Sequence, residues 1–463
     1  MKQGDEELLN ELYGLIHKTA KRIIKKDNGL PPDVKLVDFP SSAFSDGKME
    51  LKNTEFVNEV KVNGFIKKSQ VYPIENLVSL SCNSELPLSF NAKTGVSCMA
   101  STLEEAQLCW RQFAEHSVIP AEYRNEGMRY AGYIKECSTW CLPSWIWTNA
   151  AIVRYYCDIH EYGKAKKLGD LIIAQQQGCG GWIVRNDYSK EGVTPQLAPN
   201  DSCYIALNCC MELYRITNDN AYLISAIRCA DWCIESARPD GLVYFGFDTK
   251  NQKWVKDKNI VDTGFSAGLF ASLYEITGEE KYHDFLEKFV NSYVKVFYMT
   301  EHKCFATAID GKDHQKGGAF SRGQAWALEG LIPAYKVLQS GIIEAVINNT
   351  ISTLLDFQLK NGGWSYNLLK PLMGEDCKAV SLLAKSILEW NEIKPNKQYI
   401  DSAKKAVDWC VNHTETKGEA TGGIFSYTIE GAVVHHMYTN TAFVYSSSYA
   451  LEVCEMLKAI GEK

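Results

Sequence analysis

A repeat of about sixty residues runs through most of this chain. The segment Leu213–Thr217 (LYRIT) returns sixty positions later as Leu273–Thr277 (LYEIT). Each copy is followed, five residues on, by a tyrosine that opens a second helical pattern, Tyr222 or Tyr282. Tyr335-Lys336-Val337 continues the repeated segment itself. A repeat of this length is one supersecondary unit, which buries its apolar face only by packing against its neighbours. The repeat therefore predicts an array of similar units.

Each unit pairs two helices of different character. Residues 202–216 and 264–276 are apolar nearly all round, whereas the charges of 281–297 keep to one face. An all-apolar helix is a buried helix, and an amphipathic helix covers a core. The first helix of each unit is therefore predicted to form an inner layer and the second an outer layer.

Six such units can be counted. Outer helices follow the first five inner helices, and 102–118, which opens with the capping-box pair Thr102 and Glu105, supplies the sixth. The prediction is an all-α fold, an (α/α)6 barrel of six helical hairpins, over residues 96–463, with 1–95 as an N-terminal extension of unknown role. The inner helices are expected to begin near Pro143, Ser202, Thr263, Gly323, Cys377 and Thr441.

Glycine turns recur in the loops before the inner helices. Glycine at such places, with aromatic residues close by, is typical of short β-hairpins. We therefore expect β-hairpins in the loops at the end of the barrel where the inner helices begin. The turns are Gly180-Gly181-Trp182, Asp240-Gly241, Gly362-Gly363-Trp364 and Gly422-Gly423.

Composition excludes several classes of partner. The net charge of -7 is spread with both signs mixed, so no basic stripe predicts nucleic-acid binding. No apolar run reaches the length of a membrane span. The first residues lack the features of a secretory signal, and the cysteines fall among apolar helix residues, so a reducing cytoplasm is expected. No zinc-type cysteine and histidine spacing, phosphate loop or dinucleotide motif is present, which predicts neither metal nor cofactor.

Polar residues stand where the inner helices should begin: Asn200, Asp201, Asp262, Arg322 and Asp376. Helix N-termini favour aspartate as a cap, which explains each aspartate singly. The repeat, however, would place Asp201 and Asp262 side by side on one cavity. Two such carboxylates separate each other's pKa values, which suits one of them to acid-base catalysis. Capping and catalysis both remain open from the residues alone.

Arg322 at a helix start is unfavourable beside the positive end of the helix dipole, so a bound anion would explain it. Its guanidinium fits a carboxylate. Trp326, four residues later, faces the same side. Other aromatic residues nearby in the repeats would offer flat surfaces for sugar rings: Phe320, Trp182, Trp364 and Tyr244.

The segment Phe320–Trp326 (FSRGQAW) resembles the W-x-R-G-Q-A-W motif of the unsaturated glucuronyl hydrolases, which have relatives among the unsaturated rhamnogalacturonyl hydrolases. The resemblance covers about residues 140–460. It implies a six-hairpin barrel that removes a 4,5-unsaturated uronic acid from the non-reducing end of an oligosaccharide. The implied reaction hydrates a vinyl ether and needs no metal or cofactor.

The resemblance also implies roles for individual residues. Asp262 would be the general acid and base, and Asp201 would hold the ring hydroxyls and tune Asp262. Arg322, Gln324 and Trp326 would contact the substrate. The remaining candidate substrate contacts are Phe320, Asn200, Asp376, Trp182 and Trp364.

The chain departs from the family pattern at three places. Phe320 replaces the first tryptophan of the motif, Asn200 replaces a histidine before the first aspartate, and 445–447 (YSS) replaces W-G-D. Other glycan reactions on the same barrel therefore stay open: ordinary glycosidase, epimerase, or lyase chemistry using Tyr438 with His436 and Asn440. A non-catalytic glycan-binding barrel is a further alternative, against which the presence of both aspartates argues.

Overall fold

The computed structural model describes residues 99–119, 126–134, 139–141, 144–183, 185–186, 196–249, 251–370, 374–425 and 441–461. Within these ranges twelve helices alternate between an inner and an outer layer, which confirms the predicted six-hairpin α/α barrel. The proposed extension 1–95 lies outside the described residues, so the domain division remains a prediction.

The inner helices begin within a few residues of their predicted starts. They are α2 (Ile146–Asp158), α4, α6 (Phe265–Thr277, after a 3-10 turn Val261–Gly264), α8 (Ser321–Leu338), α10 (Cys377–Ile393) and α12 (Val444–Gly461). Helix α4 runs through Pro199–Ile205, a π-helical turn Ala206–Met211 and Glu212–Thr217. The outer helices are α1 (Leu103–His116), α3 (Tyr162–Ile173), α5 (Asn220–Ser236), α7 (Glu280–Phe297), α9 (Gly341–Phe357) and α11 (Lys397–Asn412).

The barrel closes through the first and last described helices. Each inner helix packs on the next one, and α12 returns to α2, while α1 packs on α12 and α11. Helix α1 is therefore the sixth outer helix, as predicted. Its cap forms between the Thr102 hydroxyl and the Glu105 amide at 3.1 Å, and the Glu105 carboxylate accepts from the Ser101 amide at 2.8 Å.

The inner layer is built of small and apolar residues because its helices lie very close together. Every residue of 265–273 in α6 is buried, whereas α7 buries one stripe. Where α8 crosses α6, a Cβ on Gly330 would lie 2.0 Å from the carbonyl oxygen of Gly264. Only glycine permits that approach. Among the described helices, none is long and apolar enough to cross a bilayer.

Short antiparallel strands link neighbouring units at the end where the inner helices begin. Short β-hairpins are present at this end, as predicted. Their strands also pair with the segments that lead into the preceding inner helices. Two of these segments, Ser144–Trp145 and Thr441–Phe443, are therefore strands, and their helices begin only at Ile146 and Val444. The pairs are β3 (Ser144–Trp145) with β4 (Arg185–Asn186), β5 (Gln196–Leu197) with β6 (Phe247–Asp248) and β7 (Lys253–Trp254), β8 (Lys258–Ile260) with β11 (Ala308–Asp310) and β12 (Gln315–Lys316), and β13 (Thr441–Phe443) with β1 (Gly132–Ile134) and β2 (Thr139–Cys141). A further hairpin, β9 (Tyr298–Met299) and β10 (Cys304–Phe305), follows α7.

The repeated glycines hold each outer helix against the next one. Gly422, in the turn after α11, has a φ of 88°, and a Cβ there would lie 1.8 Å from the carbonyl oxygen of Cys109 in α1. Three other glycines take the same left-handed conformation against the following outer helix: Gly180, Gly241 and Gly362. The glycines that were noticed as turns therefore also form the contacts between units.

Candidate active site

Asp201 and Asp262 occupy equivalent places at the starts of adjacent inner helices, and neither is a helix cap. The cap of α4 is Ala198, three residues before Asp201. Asp262 lies inside the 3-10 turn that leads into α6, and the residue before that turn, Ile260, also makes no side-chain cap. Asp376, by contrast, is a true cap, since its side chain accepts from the Lys378 amide at 3.1 Å. The structure thus separates three aspartates that the sequence made look alike.

The Asp262 carboxyl is set up to hold a proton. It is 8% exposed, and its Oδ1 has no hydrogen-bond partner among the described residues. Burial raises the pKa of Asp262 well above its usual value, and the nearby negative charge of Asp201 raises it further. The Asn200 side chain, the Thr263 amide and the Arg322 charge act in the opposite direction without offsetting this. A carboxyl whose pKa is raised in this way holds its proton more firmly than an exposed aspartic acid does, which suits it to general acid catalysis.

The backbone around Asp262 is held rigidly. The Tyr293 hydroxyl, from outer helix α7, donates to the carbonyl of Val261 at 2.7 Å. A Cβ on Gly264 would lie 2.7 Å from that same hydroxyl, so the turn packs directly on the tyrosine. Fixing the turn fixes the direction in which the Asp262 carboxyl points, as catalytic positioning requires.

Arg322 is partnered inside the protein. Its Nη1 lies 2.6 Å from Oδ2 of Asp376, and its Nη2 donates to the Tyr366 hydroxyl at 3.0 Å. The Arg322 side chain is 3% exposed and that of Asp376 is fully buried. Asp376 is the anion that the charge of Arg322 requires. Both residues were predicted to contact substrate; in the structure each is buried and they pair with one another.

Aromatic rings surround the Arg322 guanidinium and continue across the barrel. Its Cζ lies 4.8 Å from the ring centroids of Phe320 and Tyr366 and 5.5 Å from that of Trp326. Trp326 therefore faces the same side as Arg322, as predicted, and it is only partly buried. The series continues from Trp326 through Phe265, Tyr204, Trp147 and Tyr445, with successive centroids 4.6 to 6.0 Å apart.

Three other predicted substrate contacts are structural. Gln324 is fully buried and its amide bonds the backbone of Phe305 and Phe320. Trp182 and Trp364 are also fully buried, and each indole donates to an outer-helix carbonyl, at 2.9 Å and 2.8 Å. The prediction of sugar stacking is wrong for these two rings because both are fully buried, each bonded to the outer helix that precedes it in the chain. Tyr244 is partly buried and stacks on Trp254.

Sequence reasoning missed two residues of the aromatic layer that the repeat could have found. Tyr204, Phe265 and Trp326 follow one another at intervals of 61 residues, each three positions after the helix-start positions 201, 262 and 323. Of the three, only Trp326 lies in the segment Phe320–Trp326 that resembles a family motif. Three other residues singled out earlier, Tyr438, His436 and Asn440, lie outside the described residues.

A charged cavity, which was not predicted from the sequence, lies deeper in the barrel. Its volume is about 320 Å³, and neither Asp201 nor Asp262 lines it. Its walls include Arg154, Glu329 and Lys385, and Lys385 is fully buried between carboxylates. The cavity begins below the aromatic layer, since Tyr204 and Phe265 are also among its walls.

Metal ligands do not gather around the two aspartates in the part of the chain that the structure describes. The groups in which three ligand atoms lie within 4.8 Å of one another are elsewhere. One is buried, Cys203 with Cys229 and Cys233; the other is on the surface, Glu280 with His283 and Asp284.

Comparison with solved structures shows the same architecture. An unsaturated glucuronyl hydrolase specific for heparin superposes with a TM-score of 0.60 at 15% identity, over 78% of this chain and 97% of that one. The unsaturated glucuronyl hydrolase of Streptococcus agalactiae gives 0.57 at 14% identity, over 79% and 94%. An α-mannanase of glycoside hydrolase family 76 from Bacteroides thetaiotaomicron gives 0.58 at 13% identity, over 78% and 98%. At these identities the likeness establishes the fold alone.

The chain is thus a six-hairpin α/α barrel with a carboxylate pair at one end of its inner layer. The sequence model of Glycosyl Hydrolase Family 88 matches residues 132–459, which is more than half of the chain. This protein belongs to that family and is a glycoside hydrolase. A comparison with curated protein sequences gave no match.

Proposed function

We propose that this enzyme removes a 4,5-unsaturated uronic acid from the non-reducing end of an oligosaccharide, with Asp262 as general acid and base. The observation that carries the proposal is the state of Asp262. It is buried, one of its carboxyl oxygens has no partner among the described residues, and its pKa is raised by burial and by Asp201. Such a carboxyl can donate a proton to a substrate atom placed against it.

The chemistry follows from a protonated Asp262 beside an acidic neighbour. Asp262 donates its proton to C4 of the vinyl ether, and the positive charge that develops at C5 is shared with the ring oxygen. A water molecule adds at C5 and returns a proton to the Asp262 carboxylate. The resulting hemiketal opens to a ketone, and the bond at C1 then breaks to release the remaining sugar. Water is consumed and Asp262 ends in its starting state.

Asp201 acts on this reaction in two ways. As a half-buried carboxylate one repeat away, it accepts hydrogen bonds from ring hydroxyls and it keeps the Asp262 proton in place. Asn200 is buried beside Asp201, and its side chain hydrogen-bonds the Asp262 carboxyl. It stands at the position where the family has a histidine. Trp326 and Phe320 supply the apolar surface for the sugar ring.

The choice of an unsaturated uronate rests on the family and its solved members. Among the structural neighbours, a variant of the S. agalactiae enzyme is complexed with dGlcA-GalNAc6S. An α-mannanase of another family has the same fold, so the fold does not choose the reaction. Arg322, which is paired with Asp376, contributes to the site through its effect on Asp262 and its aromatic neighbours.

The test is to offer purified protein a panel of unsaturated uronyl disaccharides, sulfated and unsulfated, and to follow the loss of ultraviolet absorbance from the conjugated double bond. We expect loss with the wild type and a fall in rate of about 100-fold or more for Asp262→Asn. Asp219→Asn is the matched control, since Asp219 is an exposed helix cap far from the site. No loss with any disaccharide refutes the substrate class. Full activity in a folded Asp262→Asn variant refutes the role of Asp262.

A further inference from the structure

Three buried cysteine sulfurs converge between inner helix α4 and outer helix α5. Cys229 and Cys233 lie four residues apart, on one face of α5, and Cys203 faces them from α4. All three are fully buried, and their sulfurs lie within 4.8 Å of one another. The Cys203 and Cys233 sulfurs are 3.6 Å apart, too far for a disulfide bond.

This spacing is the one that a bound metal ion requires. Zinc-sulfur bonds of about 2.3 Å in a tetrahedral site place the sulfurs about 3.8 Å apart. The three sulfurs therefore need only small shifts to share one ion. Among the described residues, no other group of cysteines meets this condition, although buried cysteines are numerous in this barrel.

A fourth group lies beside the three sulfurs. The Ser266 hydroxyl, on inner helix α6, interacts with Cys203. It is fully buried, and the Cys203 sulfur is the partner that it reaches. A hydroxyl oxygen beside the three sulfurs is placed to complete the coordination of an ion that they hold.

We propose that Cys203, Cys229 and Cys233, completed by the Ser266 hydroxyl, form a structural site for a thiophilic ion of the Zn²⁺ type. Thiolate ligands select such ions over hard cations. Binding replaces up to three S–H bonds by S–metal bonds and releases the protons to solvent. With two of the cysteines as thiolates and the third as a thiol, the two positive charges of the ion are offset in full, which a fully buried site favours.

The site would brace the helices that carry the catalytic aspartates. Cys203 follows Asp201 by two residues in α4, and Ser266 follows Asp262 by four residues in α6, one helical turn away. The Cys233 sulfur also contacts the Pro199 carbonyl at the start of α4, at 4.0 Å. One ion would thus tie both inner-helix starts to outer helix α5. This inference does not depend on which glycan the enzyme cleaves.

The experiment uses the full chain, stripped with a chelator under reducing conditions and titrated with Cd²⁺ as a spectroscopic probe. We expect a thiolate-to-metal charge-transfer band that saturates at one ion per chain. Cys229→Ala should lose this band, whereas Cys304→Ala should retain it, because Cys304 is equally buried but remote from the group. A large excess of Zn²⁺ should displace the Cd²⁺ band, and Zn²⁺ alone should raise the thermal midpoint of the wild type but not of Cys229→Ala.

Three results would overturn the proposal. The first is a folded wild type that shows no saturable band. The second is a band of equal size in Cys229→Ala. The third is a disulfide between Cys203 and Cys233, seen by mass spectrometry of unreduced protein in place of metal uptake. If Cys229→Ala does not fold, the wild-type stoichiometry and the displacement by Zn²⁺ decide the question.

Discussion

The ion pair between Arg322 and Asp376 offers the sharpest test of how this site is held together. The pair joins the starts of α8 and α10, its N–O distance is 2.6 Å, and the two side chains are 3% and 0% exposed. Removing one partner of such a pair leaves a buried charge without compensation, which costs about 3–5 kcal/mol. Asp376→Asn keeps the helix cap, since asparagine caps as well as aspartate does. The change therefore isolates the loss of charge.

We expect Asp376→Asn to lower the free energy of unfolding by about 3 kcal/mol, at the low end of that range because the asparagine oxygen can still accept from Arg322. The measurement is urea unfolding followed by circular dichroism and by tryptophan fluorescence. Asp219→Asn, at the exposed cap of α5, should change stability by less than about 0.5 kcal/mol. Adding Arg322→Met to Asp376→Asn should recover part of the loss, because the unpaired cation is then gone.

A loss of less than about 1 kcal/mol in Asp376→Asn would place this pair among surface ion pairs and refute the reasoning from burial. An Asp376→Asn variant of normal stability that binds substrate more weakly would restore Arg322 and Asp376 as direct ligands of the glycan. The two outcomes differ because the first is measured without substrate and the second only with it.

Three further predictions concern the contacts between units, the interior and the pair of aspartates. Gly422→Ala should prevent closure of the barrel and yield little folded protein, because its Cβ would lie 1.8 Å from a backbone oxygen of α1. Gly341→Ala is the control: its Cβ would have no atom within 4 Å, so it should fold normally in expression and melting assays. Burial raises the pKa of Glu452 to about 8, so the native state binds its proton more tightly than the unfolded chain does, and wild-type stability falls as the pH rises from about 4.5 to 8. Glu452→Gln should remove this fall. The prediction is contradicted if the variant is no more stable than the wild type at pH 9 in unfolding titrations. The kcat/KM of the wild type should fall at alkaline pH as Asp262 loses its proton. Asp201→Asn should lower the pKa of Asp262 and so move this alkaline limb to lower pH. An unmoved limb would mean that the two carboxyls do not interact.

Much of the fold was predictable because each unit repeats a local pattern. The apolar character of 202–216 and 264–276 and the mixed character of 281–297 indicated the two layers, and the capping pair at 102 and 105 located the outer helix that completes the ring. The predicted starts near Pro143 and Thr441 fall a few residues before α2 and α12 because the strands Ser144–Trp145 and Thr441–Phe443, directly before those helices, pair with segments far away in the chain.

The site was predictable in position but only partly in role. Asp201, Asp262 and Asp376 have the same sequence signature, yet only Asp376 caps a helix. Trp182 and Trp364 each follow a pair of glycines, a pattern that suggested exposed rings in a binding loop, yet both rings are fully buried. Capping depends on the backbone angles of one turn, and burial depends on a neighbouring unit; neither is written in the local pattern.

The sequence by itself determined the barrel and the residues that stand at the ends of its inner helices, because helical periodicity and a repeat of sixty residues are properties of the chain read in order. Only the tertiary structure decided that Asp262 is buried beside Asp201, that Arg322 is neutralised by Asp376, and that three cysteines from two helices meet at one point. Each of these depends on distances between residues that are far apart in the chain. A pKa, an ion pair and a metal site are set by such distances, through charge and burial, and not by residue types alone.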